Sequence, residues 1–286
     1  MSPIRRKFSC PQFVRALFWG VVCTAVFISG AGADAQALPR PAHVAVVMEE
    51  NHAYSQIIGS PEAPYINTLA SEGALFTQSY AITHPSQPNY LALFSGATQG
   101  VTSDSCPHEF SAANLGSELI AAGKSFTGFS EGLPSVGSEV CDSGEYARKH
   151  SPWTDFSNVP AKDNQPFSKF PSNFADLPTI SWVIPDLEDD MHDGTIQQGD
   201  SWLRAHLQEY VTWAKKNNSL LIITWDEDDD TTTSKIPTIF VGPMVKPGKY
   251  GVKITHYNVL RTLEAMYGLH YVGKSASVTT ITGVWQ

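Results

Sequence analysis

At 286 residues, with 42% hydrophobic and 11% aromatic content, the chain can build one large core or two small ones, which excludes disorder as its ordinary state. Its formal net charge of -9 repels nucleic-acid backbones, so nucleic acid is excluded as a partner and any phosphate group must be bound locally, with help from a cation.

Residues 1–35 read as a targeting segment. Arg5, Arg6, Lys7 and Arg15 make a basic start, Ala16 to Ile28 is apolar, and Ala33-Asp34-Ala35 fits a small-x-small cleavage site. Cleavage after Ala35, or alternatively after Ala37, leaves residues 36–286 as one domain and predicts a secreted or periplasmic protein without stable membrane insertion. An uncleaved anchor is the competing reading, and the apolar run is short for a span. The remaining chain carries 15 Lys and Arg against 27 Asp and Glu, a formal charge of -12. Cys10 and Cys23 depart with the segment, so Cys106 and Cys141 are the one internal pair left, and a disulfide is its natural state in an exported chain.

His43 to Met48 is short, apolar and β-branched, and predicts a buried parallel strand running into Glu49-Glu50-Asn51-His52. Pro64 to Ala70 places Ile66, Leu69 and Ala70 on one helical face, with Gly73 as the stop. Ala74 to Ala81 reads as a strand that delivers the chain to His84 and Ser86. Pro85 and Pro88 bracket Ser86, and Pro88 suits the first position of a short helix through Phe94, so Ser86 falls just before a helix N-terminus. Unpaired amides and the helix dipole favour an anion there, although a plain helix cap is the simpler reading. Leu115 to Ala122 is a helix ended by Gly123, and Phe126 to Ser130 a strand.

Gly132 to Pro178 has no sustained period and fits a lid or substrate wall. Inside it, Arg148-Lys149-His150 gathers basic groups beside aromatics, where a surface turn is the simpler account. Thr179 to Ile184 is a strand followed by Asp186-Leu187-Glu188-Asp189-Asp190-Met191-His192. Ser201 to Asn217 is the clearest helix, with Asp200 as its cap. Strands Leu220 to Trp225 and Thr238 to Val241, then a helix from Tyr257 to Tyr267 preceded by His256, complete the alternation. That alternation predicts an α/β fold with a mostly parallel sheet.

Acids and histidines cluster where strands end: Glu49 to His52, Asp186 to His192, and Asp226 to Asp230, with His84, Ser86 and His256 beside helix starts. In α/β proteins that edge is where ligands bind. Hard divalent cations want carboxylate and amide oxygens, while zinc and iron also accept histidine, and this mixture suits either. Asp226-x-Asp228-x-Asp230 imitates the start of a calcium loop, but Thr231 stands where glycine is required and Pro237 where the bidentate glutamate should be.

Met48-Glu49-Glu50-Asn51-His52, Ala63-Pro64-Tyr65-Ile66-Asn67, His84-Pro85-Ser86-Gln87-Pro88-Asn89-Tyr90, Asp190-Met191-His192, Gly199-Asp200-Ser201-Trp202-Leu203 and Thr224-Trp225-Asp226-Glu227 resemble, in order, the bacterial phosphoesterase family of secreted acid phosphatases and phospholipases C, within the alkaline-phosphatase superfamily. Lacking the phospholipase branch's long insertions, the chain is more similar to the acid phosphatases. The resemblance implies a three-layer α/β sandwich with a mostly parallel central sheet and a divalent metal ion. Ser86 would be both nucleophile and metal ligand, with Glu50, Asn51, Asp226 and Glu227 completing the primary site. Asn89 would contact phosphoryl oxygens, His84 would join Ser86 as a catalytic candidate, and Lys149 and His150 would hold the phosphate or assist the leaving group. Asp190 and His192, with Asp186 and His256, would form a second metal site or phosphate pocket. The run Asp228-Asp229-Asp230-Thr231-Thr232-Thr233 departs from the family's glycine-rich stretch and histidine, which bears on that second site.

The implied function is a secreted metal-dependent acid phosphatase acting on small phosphate monoesters through a phosphoserine. A phospholipase C-type phosphodiesterase is the first alternative, and a non-catalytic metal- or ligand-binding protein on the same scaffold the second.

Overall fold

Strand β1 (His43–Glu49) alternates its side chains between two apolar cores, and the sheet extends to both sides of it. A computed structural model describes residues 37–230 and 233–286, so the targeting segment read at 1–35 lies outside the described residues. Helices α1 (Tyr54–Ile57) and α2 (Pro64–Glu72) lead to β2 (Ala74–Phe76) and β3 (Ser79–Tyr80). Helices α3 (Ser86–Ser95) and α4 (Leu115–Ala121) precede β4 (Phe126–Ser130). Short strands β5 (Asp142–Ser143), β6 (Tyr146–Ala147) and β7 (Asn164–Pro166) sit in a stretch otherwise made of turns and 3-10 helices. Then come β8 (Ile180–Ile184), α5 (Ile196–Ala214), β9 (Ser219–Trp225), β10 (Lys235–Ile236), β11 (Thr238–Val241), β12 (Gly248–Tyr250), β13 (Ile254–Thr255) and α6 (His256–Tyr267).

The main sheet runs β12-β2-β11-β9-β1-β8-β4-β7. Only β11 opposes the common direction, pairing antiparallel with β2 and β9. The fold is therefore α/β with a mostly parallel sheet, and the carboxyl ends of β1, β4, β8 and β9 share one edge. Val44, Val46 and Met48 pack under α3, α4 and α6, whereas Ala45 and Val47 pack under α2 and α5. Both faces of β1 are thus covered, which is why its sequence is continuously apolar. Each buried Val, Leu or Ile contributes about 1.5–3 kcal/mol of transfer free energy.

Several boundaries move. The stretch read as one strand, Ala74 to Ala81, divides into β2 in the main sheet and β3 in a second sheet with β10 and β13. Helix α3 begins at Ser86 itself, so Ser86 occupies the first helical position. All ten α3 residues are buried, because neighbours cover the helix on every side and no solvated face is needed. Gly73 does follow α2, but its extended φ of -124° needs no glycine. The demand is steric: a Cβ there would stand 2.2 Å from the Phe240 carbonyl oxygen.

The irregular stretch is pinned rather than loose. Trp153 lies so close on β4 that a Cβ at Gly128 would meet its ring at 2.1 Å, and its indole donates to Asn164 Oδ1 at 2.9 Å. Cys106 and Cys141 are disulfide-bonded, with Cα atoms 5.8 Å apart, as the sequence reading expects.

Candidate active site

Parallel pairing of β1 with β9 sets Glu49 opposite Trp225, so the next residues, Glu50 and Asp226, emerge side by side. Asn51 then takes a left-handed φ of 53°, a conformation asparagine tolerates better than most residues, and its amide donates to Asp226 Oδ1 at 3.1 Å. Helix α3 points its first turn at this pair. Ser86 Oγ donates to Glu50 Oε2 at 2.9 Å, and one turn later Tyr90 OH donates to Glu50 Oε1 at 2.7 Å.

The loop after β8 supplies the other wall. Glu50 N donates to the Asp190 carbonyl at 2.9 Å, which fixes Asp190 against β1. His150 lies between them, with Nε2 3.0 Å from Glu50 Oε1 and Nδ1 3.0 Å from Asp190 Oδ2, and its ring stacks on Tyr90 with centroids 4.8 Å apart. Glu50, His150 and Asp190 offer ligand atoms within 4.8 Å of one another and are able to hold a metal ion.

Burial dominates the electrostatics. It pushes Glu50 well above the usual carboxylate range, with Asp226 and Asp190 adding repulsion against a smaller opposing effect from the Tyr90 hydrogen bond. Burial likewise lifts Asp190, and Asp226 rises to about 6 despite hydrogen bonds from Asn51, Glu227 and Ser86. Glu227 is pushed up to about 9 by burial and then by Asp226. His150 is driven well below its ordinary value by burial, Lys149 and His192. A neutral imidazole between two carboxyls can satisfy both only if one of them is protonated, so this cluster is short of positive charge.

The Phosphoesterase family model matches residues 60–270. The chain belongs to the phosphoesterase family. It is 53% identical over 275 residues to a phosphatidylinositol-3-phosphatase of Mycobacterium tuberculosis, covering 93% of this chain and 92% of that protein. An acid phosphatase of Aspergillus fumigatus is 30% identical over 231 residues, covering 72% of this chain and 51% of that protein, so the chain spans about half of this fungal relative. Among solved structures, a protein of the alkaline phosphatase superfamily from Vibrio parahaemolyticus superposes with a TM-score of 0.59 at 15% identity, covering 86% of this chain and 72% of that one. A phosphonate monoester hydrolase from Silicibacter pomeroyi gives 0.56 at 11% identity, covering 86% and 78%. These two likenesses are of fold. With its phosphatase relatives, the chain is a phosphoric ester hydrolase.

In this phosphoesterase the residues singled out from sequence divide into groups. Glu50, Ser86, Asp226, Asp190 and His150 converge in the buried centre. Glu227 Oε2 is held by His84 Nδ1 at 2.9 Å and Asn89 Nδ2 at 3.2 Å, while His84 Nε2 lies 3.2 Å from Asp228. Asn89, expected at phosphoryl oxygens, has no exposed surface. Its Oδ1 accepts from the Ile82 and Thr83 amides, and its Nδ2 also donates to Thr83 O, so it staples the segment leading into Ser86.

Lys149 and His150 are adjacent in sequence but not in environment. His150 is enclosed, whereas Lys149 keeps 18% of its side chain exposed and bonds Asp104 Oδ2 at 3.0 Å and His192 Nε2 at 3.2 Å. Although burial pulls Lys149 down, Glu50, Asp104 and Asp226 together hold its pKa above the ordinary value. His192 therefore lies beside Lys149, with its amide on Asp190 Oδ1 at 2.8 Å. His256 is buried against the Asp226 carbonyl through Nε2 at 2.7 Å, leaving only Nδ1 for a ligand, and burial takes its pKa down to about 4. Asp186 caps its own turn, accepting from the Glu188 and Asp189 amides.

Sequence reasoning missed two members. Tyr90 carried a signal, since it follows Ser86 by one helical turn. Asp104 carried none: it accepts from the Gln87 amide at 2.9 Å and binds Lys149, joining the first turn of α3 to a residue far along the chain.

Proposed function

We propose that this phosphoric ester hydrolase is a metal-dependent phosphomonoesterase with Ser86 as nucleophile. The observation that carries the reading is Ser86 Oγ, at the first position of α3, donating to Glu50 beside Asp226. The residues fit a divalent cation: Asp226 Oδ2 is buried without a partner among the described residues, and its carboxylate neighbours are held up in pKa by burial and mutual repulsion. Glu50, Asp226 and Ser86 would hold the ion, with Asn51 and Glu227 joining by family likeness. Such an ion lowers the pKa of a bound hydroxyl and offsets charge on a phosphoryl group.

The chain's own residues do the rest. Ser86 Oγ passes its proton toward Glu50 and attacks phosphorus as the ester bond to the leaving alcohol breaks, giving phosphoserine. Water then cleaves that bond, releasing inorganic phosphate and restoring the hydroxyl. Lys149 supplies positive charge at the partly exposed side, and Asn89 keeps the entry to Ser86 rigid. Likeness to the Mycobacterium tuberculosis protein brings a lipid-borne monoester, phosphatidylinositol 3-phosphate, into the substrate panel beside soluble monoesters and a diester. If residues 1–35 act as a signal, this chemistry takes place outside the cytoplasm.

Ser86→Ala is expected to lose several orders of magnitude in monoester turnover while keeping its circular dichroism within error. Wild-type turnover in that variant, phosphate trapped on another residue, or full activity after chelation with metal analysis reading zero would defeat the proposal.

A further inference from the structure

Charge is unevenly spread along this acidic chain. Between Asp230 and Glu264 the sequence holds no acid, while Lys235, Lys246, Lys249, Lys253 and Arg261 fall in that stretch. Strand β12 carries Lys249 on the outer edge of the main sheet. Because β12 runs parallel to β2, and β2 and β9 both oppose β11, the carboxyl end of β12 reaches the edge where Glu50 and Asp226 emerge. The chain leaves that end through Gly251, Val252 and Lys253 before β13 begins. Lys249 and Lys253 are exposed, and Val252 is 47% exposed. Lys246 precedes β12 and stands toward its other end.

The second sheet, β10-β3-β13, carries this basic surface toward the site. Lys235 of β10 pairs with Tyr80 of β3, and β13 lies on the other side of β3. Lys253 Nζ stands 5.0 Å from the centre of the Tyr80 ring and Lys235 Nζ 4.5 Å from that of Tyr54, so both ammonium groups rest on aromatic faces. Among the described residues none of Lys235, Lys249 and Lys253 forms an ion pair with Asp or Glu within 4.0 Å. Tyr80 leads directly into Ile82 and Thr83, whose amides Asn89 holds, and Tyr54 opens α1 just after Glu50. Basic groups therefore border the acid-lined centre. Lys235 closely follows the acidic run Asp226 to Asp230 in sequence, which leaves Lys249 and Lys253 as the charges of the exposed turn.

We propose that the turn from β12 to β13 is a docking surface for an anionic lipid bilayer, with Lys249 and Lys253 at the headgroup phosphates and Val252 entering among them. A lysine on an edge strand also guards against strand pairing, but Lys253 lies beyond the strand and an exposed valine beside it adds nothing to such a guard. A phosphate-rich polymer would call for basic groups alone. An exposed apolar side chain between lysines, with tyrosine rings alongside, suits the headgroup layer, where apolar groups enter and ammonium groups stay at the surface. Each lysine near an anionic membrane surface strengthens partitioning by about fivefold, which matters in a chain whose overall charge such a surface repels. Docked by this edge, the protein brings its acidic centre to the bilayer in spite of that charge. The readout is vesicle binding, so the proposal stands whether or not Ser86 proves to be the nucleophile.

The test is co-sedimentation of the full chain with vesicles of phosphatidylcholine alone or mixed with phosphatidylserine, at low and high salt, with amide hydrogen exchange followed on the bound protein. Wild type is expected to favour the mixed vesicles, to lose that preference at high salt, and to show slowed exchange at residues 248–254 when bound. Lys249→Glu/Lys253→Glu, which alters exposed side chains, is expected to bind the mixed vesicles about tenfold more weakly or worse, with Tm and soluble-monoester turnover as in wild type. Val252→Asp should also weaken binding and lose the slowed exchange. Residues 1–35 are common to every chain, and exchange separates any contact they make from this one. The proposal is overturned if residues 248–254 exchange at the same rate free and on mixed vesicles. It is equally overturned if the folded double variant binds those vesicles, and is protected at 248–254, as wild type is.

Discussion

Glu50 collects Ser86, Tyr90 and His150 on one buried carboxylate, at 2.9, 2.7 and 3.0 Å. Donors favour the ionised form, yet burial and the neighbouring acids prevail and hold its pKa up. Asp226 is in the same position, with one oxygen on the Asn51 amide and the other without a partner. Replacing it by Asn removes the charge of a proposed ligand and should cut both metal retention and turnover by more than the roughly 10–100-fold typical of losing a group that only orients a ligand. Asn51→Ala deletes a neutral side chain while its amide still reaches Asp226, so metal retention should fall less. Metal analysis of the two variants beside wild type checks the order, and an Asp226→Asn protein with wild-type metal and turnover would remove Asp226 from the site. Glu50, Ser86 and Asp226 were legible because each stands at a strand or helix end inside a short motif. Tyr90's role and the separation of Lys149 from His150 were not, because a 3-10 turn, Arg148–His150, decides which of two adjacent side chains is enclosed.

Helix α5 shows what a local signal misreads. An aspartate before an apolar-periodic run suggests a cap at Asp200, but the helix begins at Ile196, where Thr195 accepts from the Gln198 amide. Asp200 instead lies within α5 and accepts from Tyr65 N at 3.1 Å and Ile66 N at 2.7 Å, closing the start of α2, whose own N-cap Ala63 has no side-chain acceptor. The cap chemistry was read correctly and its target was not, because the capped amides lie more than a hundred residues away. Asp200→Ala should therefore cost about 0.5–2 kcal/mol, the usual loss of an N-cap, while Asp200→Asn, which keeps an acceptor oxygen, should cost less. Denaturant midpoints at unchanged m-value measure both, and an alanine variant as stable as wild type would show that α2 does not depend on this cap. Strand β4 and strand β11 matched their sequence boundaries because each is a short apolar run between breakers. The Ala74–Ala81 run did not, since which sheet receives each half depends on β12 and β13, far along the chain.

Across the whole molecule, alternation of strands and helices was enough to read a mostly parallel sheet with its acids on one edge, but not the closure of the far end of α3. There Lys274 N donates to Gly96 O at 2.7 Å, and the turn carrying Lys274 is held by Glu264 of α6, which accepts from Val272 N at 2.8 Å and Ser275 Oγ at 2.6 Å. Glu264 thus braces one end of the helix whose other end carries Ser86. Burial raises its pKa from 4.5 to about 7, outweighing the opposing pull of those hydrogen bonds and of Arg261. A carboxyl whose folded-state pKa lies above its unfolded value contributes stability in full below the unfolded value, and that contribution fades as pH rises through the folded one. Wild type should therefore lose stability relative to Glu264→Gln from about pH 4.5 upward, with the change complete a little above the folded pKa of about 7. Glutamine keeps one oxygen for Val272 N and offers an amide to Ser275 without titrating. Carboxyls elsewhere in the chain titrate alike in both proteins, so they cancel in the difference between denaturation midpoints measured in chelator across that range. A difference that stays flat with pH would mean that Glu264 is already ionised in the folded protein at acid pH.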